Sequence, residues 1–135
     1  MSKYVNAQRD IEGAFASSTW TSNNIATYPV NFNIPANVSE FVKIEVLPLA
    51  TLSDYRRFGI TGLAIVQVYV PANKGTLRLL EIADLVDTVL QNKTLGTGTS
   101  TGDSVVQVLG QDRDNPNLFR GDYQVTFKQY NQQEA

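Results

Sequence analysis

GLAIVQVYVP (Gly62–Pro71) and, after a short break, TLRLLEIADLVDTVLQN (Thr76–Asn92) set two different periods side by side. In the first, β-branched residues occupy both faces from Leu63 to Val70, which predicts a strand near the middle of a sheet. Pro71 stops it. In the second, Leu79, Ile82, Ala83, Val86, Val89 and Leu90 recur at spacings of three and four, the mark of an amphipathic helix with one buried face. Thr76 is placed to cap its start through its hydroxyl. Glu81, Asp84 and Asp87 recur every three residues away from the apolar stripe.

Working outward, Lys3–Ser17 carries Tyr4, Ala7, Ile11, Ala14 and Phe15 on one stripe and predicts a first helix. Ala26–Ile34 alternates, with Tyr28, Val30, Phe32 and Ile34 facing one way. Pro29 within it requires a sheet edge or a bulge. Pro35–Asn37 reads as a turn. Phe41–Leu47 alternates again through Val42, Ile44 and Val46, and Pro48 ends it. Ala50–Thr61 reads as a connection. Lys93–Asp103, with Gly96, Gly98 and Gly102 among serines and threonines, has the composition of a flexible loop. Ser104–Gly110 is a strand, Gln111–Asn117 a polar turn, and Leu118–Tyr130 a final strand with Tyr123, Val125 and Phe127 inward. Residues 131–135 form a frayed tail. The expected architecture is a single α+β domain over residues 1–135 in the order α-β-β-β-α-β-β. Its sheet of about five strands is mostly antiparallel, with two helices on one face.

Composition narrows the chemistry. The chain has 135 residues, no cysteine and no histidine. Disulfides, thiolate metal sites and every catalytic arrangement that uses Cys or His are therefore excluded. The net charge is -2, and neither half is basic, which argues against a large nucleic-acid footprint. No apolar run approaches the roughly 20 residues of a membrane span. The expectation is a non-enzymatic protein without cofactor or metal.

Individual motifs read as follows. Gly96–Gly102 resembles a phosphate cradle only in its glycines; Asp103 and a strand follow where a Lys, a Ser or Thr and a helix are required. Asp112–Asn115 opens like a calcium loop, but Asn117 and Tyr123 occupy the positions that need Gly and Glu. Arg56 and Arg57 follow Tyr55 and fit either a solvated loop or a clamp for an acidic partner. Trp20 fits either core packing or an interface anchor.

Arg57-Phe58-Gly59 before a strand ending Gln67-Val68-Tyr69-Val70-Pro71, then Lys74-Gly75-Thr76 and a helix carrying Ile82-Ala83-Asp84-Leu85, resembles the tail terminators of long-tailed bacteriophages. Gly121–Phe127 is similar to the C-terminal strand of that family, with Thr126 where a proline is usual. The resemblance implies a structural virion protein at the tail–head junction, assembled in the host cytoplasm. It implies a homo-oligomer, a hexameric ring that caps the tail tube, stops its polymerisation and joins a head-completion or neck protein. DNA then passes through the ring without sequence-specific binding. Another neck or connector protein on the same fold, and a small ligand- or nucleotide-binding module, are the alternatives. The ring or tube interface is expected at Tyr55, Arg56, Arg57, Gly96, Thr97, Gly98, Thr99 and Trp20. Glu81, Asp84 and Asp87 are expected to face the channel. Removing Gly96–Gly102 is expected to spare the fold and weaken docking.

Overall fold

The structure is a computed structural model that describes residues 3–29, 40–54, 57–72, 76–96, 98–112 and 117–132. The elements are α1 (Lys3–Ala14), α2 (Ser18–Thr21), β1 (Ala26–Pro29), β2 (Phe41–Asp54), β3 (Arg57–Pro71), α3 (Leu77–Leu90), β4 (Thr94–Leu95), β5 (Thr99–Gln111) and β6 (Leu118–Gln132). The strands form one six-stranded sheet in the order β1-β2-β3-β6-β5-β4. The sheet is mixed, because β1 runs parallel to β2 while every other pair is antiparallel. The class is α+β as expected, with a sixth strand, one parallel pair and a third, short helix added.

Periodicity explains the core. On β3, Ile60, Ala64, Val66, Val68 and Val70 point to one side and are buried. Tyr123, Val125 and Phe127 of β6 lie opposite Val66, Ala64 and Gly62 in the antiparallel register, so their side chains share that face. The helix α3 lays Leu79, Ile82, Ala83, Val86, Val89 and Leu90 on it, all buried. Each large apolar side chain buried this way contributes about 1.5–3 kcal/mol. Ala7, Ile11 and Phe15 bring α1 onto the same core. Gly121 makes room for the helix: a Cβ there would stand 2.7 Å from Leu79 Cδ2.

Several expectations are corrected. Pro48 does not end β2. The register shifts between Pro48 and Ala50, and the strand continues to Asp54. Proline is tolerated because, among the described residues, β1 covers β2 only from Phe41 to Ile44, so no described strand needs a donor from Pro48 on that side. Most of Ala50–Thr61 is therefore the two arms of a β2–β3 hairpin. Opposite the irregularity, a Cβ on Gly62 would lie 2.2 Å from the Leu47 carbonyl oxygen, so only glycine admits this approach. Thr76 precedes α3 without a side-chain capping bond; its carbonyl oxygen accepts from Leu80 N–H instead. The stretch read as a loop at Lys93–Asp103 contains the β4–β5 hairpin, with Gly96 and Gly98 at positive φ in its turn. The strand predicted over Ala26–Ile34 is found at Ala26–Pro29, at the sheet edge that Pro29 requires; Val30–Ile34 and the Pro35–Asn37 turn lie outside the described residues. Of the 131–135 tail, Asn131 and Gln132 belong to β6.

Candidate functional site

The residues expected at an interface have three different fates. Tyr55, Arg56 and Thr97 lie outside the described residues. Arg57 opens β3, where its backbone pairs with Asp54 on one side and Gln132 on the other. Trp20 is a core residue, 1% exposed. Its ring meets Phe15 edge-on at 4.9 Å, and its Nε1–H donates to Thr27 Oγ1 at 2.9 Å. The polar end of the indole is thus satisfied within the chain, and the ring is buried in its core.

Gly96 and Thr99 are anchored inward. The Thr99 hydroxyl donates to Asp10 Oδ2 at 2.7 Å, and Gln129 Nε2 donates to both Asp10 Oδ2 and Thr99 Oγ1, at 3.2 and 2.9 Å. All three residues are buried. Gly96 closes the arrangement: a Cβ there would meet Asp10 Oδ1. Two residues further along β5, the buried Thr101 hydroxyl donates to the Leu90 carbonyl at the end of α3, and Thr101 Oγ1 accepts from Lys93 N–H at 2.8 Å. Deleting Gly96–Gly102 would remove the Thr99 and Thr101 contacts and take one donor from the buried Asp10 carboxylate, which keeps Gln129. The expectation that such a deletion spares the fold is withdrawn.

The three acids of α3 do not share one environment. Asp84 is exposed. Glu81 is exposed beside Arg78, whose Nη1 lies 3.8 Å from it. Asp87 turns toward the sheet and accepts from Tyr123 Oη at 2.5 Å and from Ser104 Oγ at 2.6 Å. With its amide nitrogen turned inward, Gln91 donates to the same carboxylate at 2.6 Å. Burial, and then the hydrogen bond to Asp87, push the Tyr123 phenol above its ordinary value. Asp87 is thus an acceptor that ties α3 to β5 and β6. At the other end of the helix, Arg78 forms a fork on Glu40 at 2.7 and 3.0 Å; that hydrogen bonding raises the guanidinium pKa further.

The face of the sheet turned away from the helices carries a second, smaller apolar group. Phe41 and Tyr69 stack at 4.7 Å and 15°, with Leu118 beside them. Lys43 Nζ and the Arg120 guanidinium stand 5.5 and 5.7 Å from the Tyr69 ring, within cation–π range. Arg120 is also held by Asp122 at 3.1 and 3.3 Å. Two further patches of exposed apolar side chains flank the sheet. One is Tyr4 with Leu49, beside a 250 Å³ hollow lined also by Pro48, Ala50, Thr51 and Ile60. The other is the β5 edge, where Val105, Val108 and Leu109 are exposed, Val105 and Val108 on opposite faces of the sheet. Among the described residues, no cluster of His, Cys, Asp and Glu could hold a metal ion, and no helix is long and apolar enough to cross a membrane.

No family model matches the sequence, and no curated protein matches it. Solved structures do share its fold. A chain from the virion of a native gene transfer agent particle superposes with a TM-score of 0.70, over 96% of this chain and 98% of that one, at 14% identity. A second solved chain, known by an identifier alone, superposes with a TM-score of 0.57 over 90% and 88%, at 16% identity. At these identities the likeness is one of fold, and it runs end to end.

Proposed function

We propose that this chain is a structural protein of a phage-like virion, and within that class a tail terminator. Its copies form a six-subunit ring on the tail tube, stop tube growth and present a surface to the head-completion complex, with DNA passing through. The observation that carries the reading is the end-to-end likeness to a chain of a gene transfer agent virion. The sequence resemblance to tail terminators points to the same class independently. A terminator needs one face that matches the tube and none that accepts another tube subunit, which is a demand on surfaces rather than on reactive groups. The tip between β2 and β3, with Tyr55, Arg56 and Arg57, is the segment we assign to tube or neighbour contact. Glu81 and Asp84 keep a wet helix face available to the channel, whereas Asp87 is engaged with Tyr123 and Ser104.

Light scattering on the purified protein, alone and with the tail-tube protein, tests the reading. A six-subunit mass, or conversion to it on adding tube protein, is expected, together with capped tubes of fixed length in electron micrographs. A monomer that ignores tube protein at every concentration overturns it.

A further inference from the structure

Among the described residues, both edges of the sheet are open over part of their length, and the two openings fit one another. On one side, β4 pairs with β5 only at Thr99 and Ser100. Beyond that, no strand among the described residues lies along the outer side of Ser104–Gln111. Between the register shifts at Thr101/Ser104 and Val108/Gly110, the run Ser104–Val108 is regular. It contains no charge and no proline, the devices that usually guard such an edge. On the other side, the described part of β1 covers β2 from Phe41 to Ile44. Past Pro48 and the register shift, Ala50–Asp54 is again regular and open among the described residues. Each edge presents a leucine at its irregularity: Leu49 is 61% exposed and Leu109 is 53% exposed.

We infer that the Ser104–Val108 run of one copy pairs with the Ala50–Asp54 run of the next, with Gln107 opposite Ala50 and Ser104 opposite Ser53, so that the sheet continues from subunit to subunit. This rests on the ring reading above. Three features support it. First, β2, β3, β6 and β5 alternate in direction, so β5 of one copy meets β2 of a neighbour antiparallel when the sheet is extended. Second, the faces match. Gln107 lies opposite Asp122 and Ala50 opposite Thr61, which places both on the helix-free face, so they can share one face of the continued sheet. Third, exposed apolar side chains flank both runs: Tyr4 and Leu49 on one side, Val105, Val108 and Leu109 on the other. The contact joins two different surfaces, so it propagates in one direction and closes only as a ring.

The test uses two blocked variants and their mixture, with light scattering as readout and circular dichroism as a check on folding. Val105→Lys with Leu109→Lys charges the β5 edge; Leu49→Lys charges the β2 edge. Each variant alone is expected to lose the ring and run as a monomer. Mixed, they retain one good edge each and are expected to stop at a two-subunit mass. A second measurement covers the case in which a lysine variant does not fold. In this cysteine-free chain, Gln107→Cys with Ala50→Cys is expected to give a disulfide ladder up to the full ring on oxidation, and either cysteine alone no ladder. Rings that survive both lysine variants overturn the edge pairing and leave the ring reading intact. Wild-type protein that stays monomeric with tube protein overturns both. Dimers cross-linked through Gln107→Cys alone show a two-fold β5 contact and overturn the pairing proposed here.

Discussion

Thr99 and Asp10 meet at 2.7 Å in a buried site, although they lie 89 positions apart. The bond fixes the start of β5 to the first helix, so the glycine-rich segment is tied to the core through the buried Thr99 and Thr101, while Gly96 and Ser100 stay exposed. Thr99→Val takes a donor from a buried carboxylate and is expected to cost about 2–3 kcal/mol, as for hydrogen bonds to charged groups. Thr99→Ser should restore most of it. Urea denaturation followed by circular dichroism measures both.

Tyr123→Phe removes the donor that joins β6 to Asp87. Asp87 keeps Ser104 and Gln91, so the expected loss is about 1–2 kcal/mol. The pH dependence follows from the raised Tyr123 pKa. Between the unfolded value near 10 and the higher folded one, the native state holds more protons than the unfolded state, so stability falls as pH rises. The wild type should lose stability above about pH 10 more steeply than Tyr123→Phe. Denaturation midpoints from pH 8 to 11 would show it; parallel curves would count against the assignment.

Gly62→Ala and Gly13→Ala should have opposite signs. At Gly62 a Cβ would stand 2.2 Å from the Leu47 carbonyl oxygen, so the β2–β3 ladder must open, at an expected cost of about 3 kcal/mol or more. At Gly13, near the end of α1, a Cβ meets nothing within 4 Å. Alanine there should stabilise by about 0.5–1 kcal/mol through helix propensity. Thermal melts of the two variants decide the matter.

Trp20 is the single tryptophan and is buried against Phe15. Its emission should therefore be blue-shifted in the folded subunit, unchanged by ring formation and red-shifted only on unfolding. A shift that follows oligomeric mass instead would place Trp20 at a subunit contact.

Much of this fold is legible from period alone. The six apolar positions of α3 are all buried, and the inward set Tyr123, Val125 and Phe127 extends to Gln129, whose burial the same alternation implies. Asp10 is marked in the same way: it stands three residues after Ala7, inside the apolar stripe of α1. What local reading misses has long-range causes. Proline at position 48 signals a stop, yet the strand goes on because that stretch lies at an edge. Glycine, serine and threonine between Lys93 and Asp103 have the composition of a loop. They form strands because Asp10 and the Leu90 carbonyl, distant or across a turn, accept their hydroxyls. The carboxylate row on α3 is regular in sequence, but it divides once Tyr123 and Ser104 reach Asp87.

The position of β6 has a consequence for how the subunit is made. It follows every other strand in sequence but sits between β3 and β5, with Arg57 pairing to Gln132 at one end of the ladder. Until it inserts, the hairpin β2–β3 and the hairpin β4–β5 are separate half-sheets, each with one more bare side than the finished subunit. Pairing over such sequence separations is slow. The kinetically vulnerable species is therefore a chain awaiting its central strand, and a chaperone that shields β3 and β5 at that stage would raise the yield of folded protein.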